Sequence, residues 1–341
     1  MSALPVRPSL SPPVAAAAPA VKLSGLSQVA LALVYLVWGS TYLAMRIAIV
    51  ELPPMMMGAG RFVLAGALLL AFARARGSAW PTRREWLASA LPGVLLFVVG
   101  NGMVAIAQRW VPSGIAAVVC ATMPLFAIGW AWSFGERPER RHVVGIGVGV
   151  LGVAVLSAGT LARLTDWRGA LVLLAPVGWS LGSLLTRRLA MPRGLMAAGA
   201  PMVWGGLAMG VVSVARGEAW PTHVGATSVG ALVYLTLVGS VVTFAAYSHL
   251  LRETPPAVAT SYAYVNPIVA VVLGVAVGGE RFGPSLGVGA FLVVLGVFLT
   301  LRGSFLLPSA LPSKETRDGA DGEVRGRAEQ GQGPQQGSVE R

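Results

Sequence analysis

A polar side chain in an apolar run is expensive in lipid, so such residues are the first place to look for chemistry. The stretch YLVWGSTYLAMRIAI, Tyr35 to Ile49, places Trp38, Ser40, Thr41, Tyr42 and Arg46 in one such run. An aromatic wall with two hydroxyls can contact a small amphipathic solute. The same hydroxyls can instead bond back to their own helix's carbonyls, and small residues serve close helix crossings. Arg46 and Arg61 fall toward the outer half of their runs, where arginine can snorkel to the interface. The alternative is that one of them holds a carboxylate or phosphate through its planar fork. Trp38 and Arg46 are eight positions apart, a little over two helical turns, which puts them on roughly one face.

Two amides extend the candidate set. Lipid satisfies neither Asn101 nor Asn266, and Asn266 precedes Pro267, whose ring removes a backbone donor and disfavours helix at the preceding residue. The expectation is a helix break at Pro267 that turns carbonyls toward a cavity, with Tyr262 and Tyr264 on the same stretch. A packing kink is the competing reading. Pro124 is the second candidate hinge, and Trp179 repeats Trp38 later in the chain.

Other chemistries lack their residues. Lysine occurs only at Lys22 and Lys314, so a phosphate-binding G-x-x-x-x-G-K-[ST] loop is excluded. One cysteine, Cys120, and three scattered histidines, His142, His223 and His249, suggest no metal site, and no cofactor is expected. H-E-x-x-H does not occur, and G-x-S-x-G occurs only as GWSLG (Gly178 to Gly182) and GPSLG (Gly283 to Gly287), in or at the edge of apolar helical runs rather than at a strand-to-helix turn with acid and histidine partners, so a membrane-embedded enzyme has no constellation to use. Acidic residues such as Glu51, Glu136 and Glu280 lie at run ends rather than centres. A buried carboxylate relay is therefore not expected, and coupling through Glu280 or His249, or no coupling, stays open.

The elements that must position these groups follow from composition. Of 341 residues, 55% are hydrophobic and only 12% charged, which indicates an integral membrane protein. Apolar stretches of roughly 20 residues, a bilayer's thickness, number ten: 27–47, 55–73, 86–107, 112–132, 142–162, 168–189, 195–215, 228–250, 255–278 and 284–302. Before them lies a Pro/Ala/Ser-rich leader (1–26), broken by prolines in a way that does not suit a signal peptide; after them comes a polar tail (303–341). Both read as disordered and cytoplasmic. The net charge of +12 resides mainly in arginines between the runs rather than on a nucleic-acid-binding face. With the N-terminus inside, the inner loops hold Arg74, Arg76, Arg83, Arg84, Arg137, Arg140, Arg141, Arg187, Arg188, Arg193 and Arg252, and the outer loops hold Arg109, Arg163, Arg168, Arg216 and Arg281. That bias places both termini in the cytoplasm.

The chain also repeats itself. Pro112 and Pro124 recur at one common offset as Pro255 and Pro267, and Glu136 recurs as Glu280 after a slip of one position. Trp38 and Arg46 match Trp179 and Arg187 at the same spacing, and Pro53, Met57 and Gly60 recur, again at a shared offset, as Pro192, Met196 and Gly199. Gly145, Gly149 and Gly152 read as a packing seam. Two five-span copies must insert in opposite orientations, the inverted repeat of secondary transporters. The fold expected is an all-α integral membrane protein of ten transmembrane helices in two inverted five-helix repeats, 27–162 and 163–302.

The segments Trp38 to Phe62, Asn101 to Phe126, Gly178 to Arg188 and Ala259 to Glu280 resemble the EamA-type carriers of the drug/metabolite transporter superfamily, most closely the YedA-like inner-membrane branch. The resemblance covers essentially all of residues 27 to 302. It implies a bacterial inner-membrane carrier that exports small metabolites, amino acids or drugs through a central pocket between its halves. Export rests on the resemblance alone, and a lipid flippase or an uptake carrier stays open. So does a non-transporting sensor. Expected partners are a small-molecule cargo and the lipid bilayer, with a homodimer as the self-association to test and no nucleic acid.

Overall fold

The computed structural model describes residues 23–135, 140–159, 167–254, 256–259, 261–281 and 283–301. Most of the leader, the tail, Glu136 and Pro255 lie outside these ranges, and so does the Tyr264 side chain. Every element among the described residues is helical. In chain order the main helices are α1 (Gly25–Ala48), α2 (Pro54–Ala75), α3 (Arg83–Ala107), α4 (Ser113–Trp130), α5 (Arg140–Gly159), α6 (Trp167–Arg188), α7 (Met196–Ala215), α8 (Ala226–Glu253), α9 (Tyr262–Ala276) and α10 (Pro284–Leu301).

Seven of these, α1 to α4 and α6 to α8, are long and apolar enough to cross a bilayer. Shorter apolar segments, Val143–Val155, Val265–Ala276 and Pro284–Leu299, lie in α5, α9 and α10. Outward-facing Leu64, Phe72, Val211, Val214 and Phe291 are exposed, an arrangement that lipid tolerates and water does not. The helix starts follow local chemistry. Ser24 accepts from the Ser27 N–H at 3.1 Å to cap α1, Pro54 opens α2 where a missing N–H removes no bond, and Thr82 with Glu85 forms a capping box on α3.

The helices pack in matched pairs. α2 lies against α7, α5 against α10 and α4 against α9, while α1 contacts α8 and α9 as α6 contacts α3 and α4. Glycines let backbones touch: a Cβ on Gly66 of α2 would fall 2.8 Å from the Gly199 carbonyl oxygen of α7, and one on Gly152 of α5 would fall 2.6 Å from Val293 N of α10.

Two helices are wound loosely at corresponding points. Val94–Gly102 of α3 and Tyr234–Val242 of α8 are π-helical, one in each half of the chain. Side-chain donors fill carbonyls one π turn back: Asn101 Nδ2 reaches Leu96 O at 3.3 Å and Ser240 Oγ reaches Leu235 O at 3.0 Å. Such π segments are rare and concentrate where function needs an irregular helix.

The prolines behave differently from one another. Contrary to expectation, α9 runs unbroken through Pro267, and the interruption precedes it, between the short helix Pro256–Ala259 and Tyr262. Only the bond from Pro267 to the Ala263 carbonyl is lost, which surrounding helices tolerate at membrane depth. α4, by contrast, stops at Cys120 and resumes at Met123, with Pro124 in the first turn of the second segment.

Candidate functional site

One stripe of α1 begins the site. Trp38, Thr41, Tyr42 and Met45, at i, i+3, i+4 and i+7, form one wall of a cavity of about 100 Å³. α2 adds Arg61 and Phe62, α3 adds Asn101 and Val104, and α4 adds Ala117, Cys120 and Met123. The wall is completed by Pro176 and Trp179 of α6, Phe244 of α8, and Tyr262, Ala263, Asn266 and Pro267 of α9. No carboxylate lies among these lining residues.

Aromatic rings enclose one side. The Trp38 ring centroid lies 4.8 Å from that of Tyr262, 5.1 Å from Tyr247 and 5.2 Å from Phe244, in tilted or edge-on arrangements that suit aromatic quadrupoles. Trp38 Nε1 donates to the Gly239 carbonyl at 3.2 Å, inside the π segment of α8. Trp179 mirrors it against the π segment of α3, where a Cβ on Gly100 would come within 2.5 Å of the indole. Only glycine admits that approach.

Arg61 is the charged member. It is 4% exposed, and its Nε donates to Ser240 Oγ at 3.0 Å. The Phe62 ring lies 4.6 Å from its Cζ, and Nη1 is buried with no acceptor. The snorkelling reading fails here, because the guanidinium is buried against the cavity rather than extended to an interface.

The other expected residues divide. Asn266 is 8% exposed, and its amide nitrogen, oriented by its surroundings, donates to the Tyr262 and Tyr35 carbonyls, both at 3.2 Å. Thr41 Oγ1 bonds back to Trp38 O at 2.6 Å, so this lining residue spends its hydroxyl on its own helix. Ser40 leaves the cavity altogether: it donates to Val37 O at 2.8 Å and meets the Tyr234 hydroxyl at 2.6 Å. Arg46 also leaves, since eight positions turn the helix roughly 800°, about 80° away from the Trp38 face. Pro124 is absent from the lining, whereas Pro267 is part of it. Sequence reasoning missed Phe62, Phe244, Tyr247, Met45 and Met123. Only the i, i+3, i+4, i+7 stripe could have flagged Met45, since apolar residues in an apolar helix carry no other sign.

Arg46 belongs to a second network. Its Nη1 donates to Val111 O at 3.0 Å and Gln108 O at 3.3 Å, and its Nε lies 3.5 Å from Glu280 Oε1. The Glu280 carboxylate accepts from Ser113 N at 2.8 Å and Gly114 N at 3.3 Å, sitting on the N-terminus of α4 where the helix dipole favours an anion. Gly279, at φ +62°, turns the chain after α9 so that Glu280 can reach it. Two other carboxylates make the same kind of cross-helix cap. Glu218, after α7, accepts from Met55 N at 3.3 Å and Met56 N at 2.9 Å of α2, and Glu51, after α1, accepts from Gly225 N at 2.9 Å before α8. Hydrogen bonds from Ser228 and Gly225 hold the Glu51 carboxyl below its ordinary range. No three metal-ligating side chains cluster among the described residues.

Helices throughout the described residues, seven of them membrane-length, and a cavity walled by residues between Trp38 and Pro267 mark an integral membrane protein, and the chain belongs to the EamA-like transporter family, whose model matches it twice, over residues 26–158 and 167–302. Among its relatives, the "Uncharacterized inner membrane transporter YedA" of Escherichia coli (strain K12) is 42% identical over 284 residues, 82% of this chain and 92% of that protein. The "Probable amino-acid metabolite efflux pump" of the same organism is 23% identical over 294 residues, 80% of this chain and 93% of that one. A chain solved by crystallography shares the fold with a TM-score of 0.57 at 22% identity, covering 82% of this chain and 98% of that chain.

Proposed function

We propose that the protein is a secondary transporter, not an enzyme, that exports a small metabolite, amino acid or drug-like solute across the bacterial inner membrane. In this reading its ten helices all span, both termini are cytoplasmic, and two inverted repeats, 27–162 and 163–302, rock around the cavity in alternating access. The observation that carries it is the cavity itself, which takes walls from α1 to α4 in one half and α6, α8 and α9 in the other. Four further features support the layout. The family model matches once in each half, the helix contacts come in exchanged pairs, a π segment recurs in each half, and exposed Trp80 and Trp220 follow α2 and α7 at matching positions as interfacial anchors would. The inner-membrane location and the outward direction follow YedA and the efflux pump by name.

The mechanism asks different things of the two networks. The cavity residues hold cargo. The carboxylate caps of Glu51, Glu218 and Glu280 fasten helix ends on the side assigned to the exterior, and outward opening must loosen some of them. A thermal-shift screen of the detergent-solubilised protein against amino acids, nucleosides, polyamines and drug-like solutes tests the site, because a ligand bound only to the folded state raises its melting temperature. The expected hit disappears in Trp38→Ala and Asn266→Ala and survives removal of residues 303–341. A hit that survives both substitutions places the cargo elsewhere.

A further inference from the structure

One charged side chain lines the cavity. Arg61 is 4% exposed on the cavity wall, Ser240 Oγ occupies its Nε at 3.0 Å, and its Nη1 is buried without an acceptor. A guanidinium is charged at neutral pH, and an uncompensated charge in a low-dielectric site is strongly unfavourable until an anion joins it. The protein's own described carboxylates are engaged or distant. Glu51 caps the start of α8, Glu85 closes the capping box with Thr82, Glu218 caps α2, Glu280 caps α4 beside Arg46, and Glu253 is exposed at the end of α8. The remaining wall is aromatic, aliphatic, thioether, thiol, hydroxyl or amide, with no other charge. The charge is also single. In the register of the repeat, Arg61 corresponds to Ala200 and Ser240 to Asn101, so the second half supplies no matching cation.

We propose that Arg61 is an anion subsite, and that the cargo is a small organic monoanion, a carboxylate whose oxygen accepts from Arg61 Nη1 while Trp38 and Tyr262 pack on its apolar body. This deepens the transport reading and rests on the cavity being the cargo site. A dianion such as a phosphate monoester would bring a second charge with no second cation to meet it. Organic cations are rejected by like charge at close range in a medium that screens it poorly.

Benzoate, benzamide and benzamidine share a shape and differ in charge, so they isolate the subsite. Dissociation constants from melting-temperature shifts of the full-length protein in detergent are compared for the natural chain, Arg61→Lys and Arg61→Gln. The natural chain is expected to bind benzoate roughly ten- to hundredfold more tightly than benzamide, the difference a hydrogen bond to a charged group makes, and to show no stabilisation by benzamidine. Arg61→Lys keeps a weaker benzoate preference, and Arg61→Gln binds benzoate and benzamide alike. Should Arg61→Gln fail to fold, the ranking in the natural chain and in Arg61→Lys decides. Benzamidine binding as tightly as benzoate, or a benzoate preference that persists in Arg61→Gln, overturns the anion assignment while leaving the cavity as the site. Failure of all three compounds, the uncharged benzamide included, overturns the cavity reading together with it.

Discussion

Two arginines, Arg46 and Arg61, sit in neighbouring apolar helices and end in opposite circumstances. Arg46 is saturated: two carbonyls and the Glu280 carboxylate surround a side chain that is 38% exposed. Arg61 is buried with one hydroxyl and a phenyl ring for company. The first arrangement ties helix ends together; the second leaves binding capacity unspent. A polar group at membrane depth is therefore informative chiefly through what its neighbours leave unsatisfied.

Breaking the saturated network should have the largest effect. Glu280→Ala strips two N–H groups of α4 and one face of Arg46 of their acceptor, and should lower stability by about 3 kcal/mol, read as a reduced melting temperature in detergent. Gly274→Ala tests the same network sterically. Its Cβ would fall 2.6 Å from Glu280 Oε2, so a loss of about 2 kcal/mol is expected, and additivity with Glu280→Ala should fail because the two act on one contact. On the unsaturated side, Ser240→Ala should cost about 1 kcal/mol by freeing Arg61 Nε. Retained stability there would mean that Arg61 does not depend on Ser240 for its placement.

The smallest effect is one of pH. Glu51 is held below the ordinary glutamate value of 4.5 in the folded protein. Its stabilisation is complete above that value and fades as pH falls through the lowered folded pKa. The melting-temperature gap between the natural chain and Glu51→Gln should accordingly be present at pH 7 and shrink toward zero on acidification. A gap that widens in acid would contradict the cap.

The membrane-length helices were legible because hydropathy runs record the bilayer directly: α1, α2, α3, α6 and α7 begin and end within about four residues of the apolar runs. In the site, Trp38, Tyr42, Arg61, Asn101, Trp179, Tyr262 and Asn266 stood out as polar or aromatic groups in apolar surroundings, and all of them reach the cavity wall. Ser40 stood out equally and faces Tyr234 instead, because each step along the helix turns it by roughly 100°. Phe244 gave no signal, since an apolar ring in an apolar helix reads the same whether it lines a cavity or meets lipid. The partner of Arg46 was hidden for another reason: Glu280 lies in the opposite half of the chain, and only the tertiary fold joins them. Pro267 was misread because one lost backbone bond does not break a helix that its neighbours support.

The central claim is that Arg46 holds structure and Arg61 holds cargo. Parallel melts of Arg46→Gln and Arg61→Gln in the same detergent test it without knowledge of the ligand. Arg46→Gln should melt below the natural protein, having lost an ion pair and two carbonyl contacts, while Arg61→Gln should melt at or above it, relieved of an unpaired buried charge. The reverse order, with Arg61→Gln the less stable of the two, would show that Arg61 is a structural strut and would remove the basis for the anion subsite.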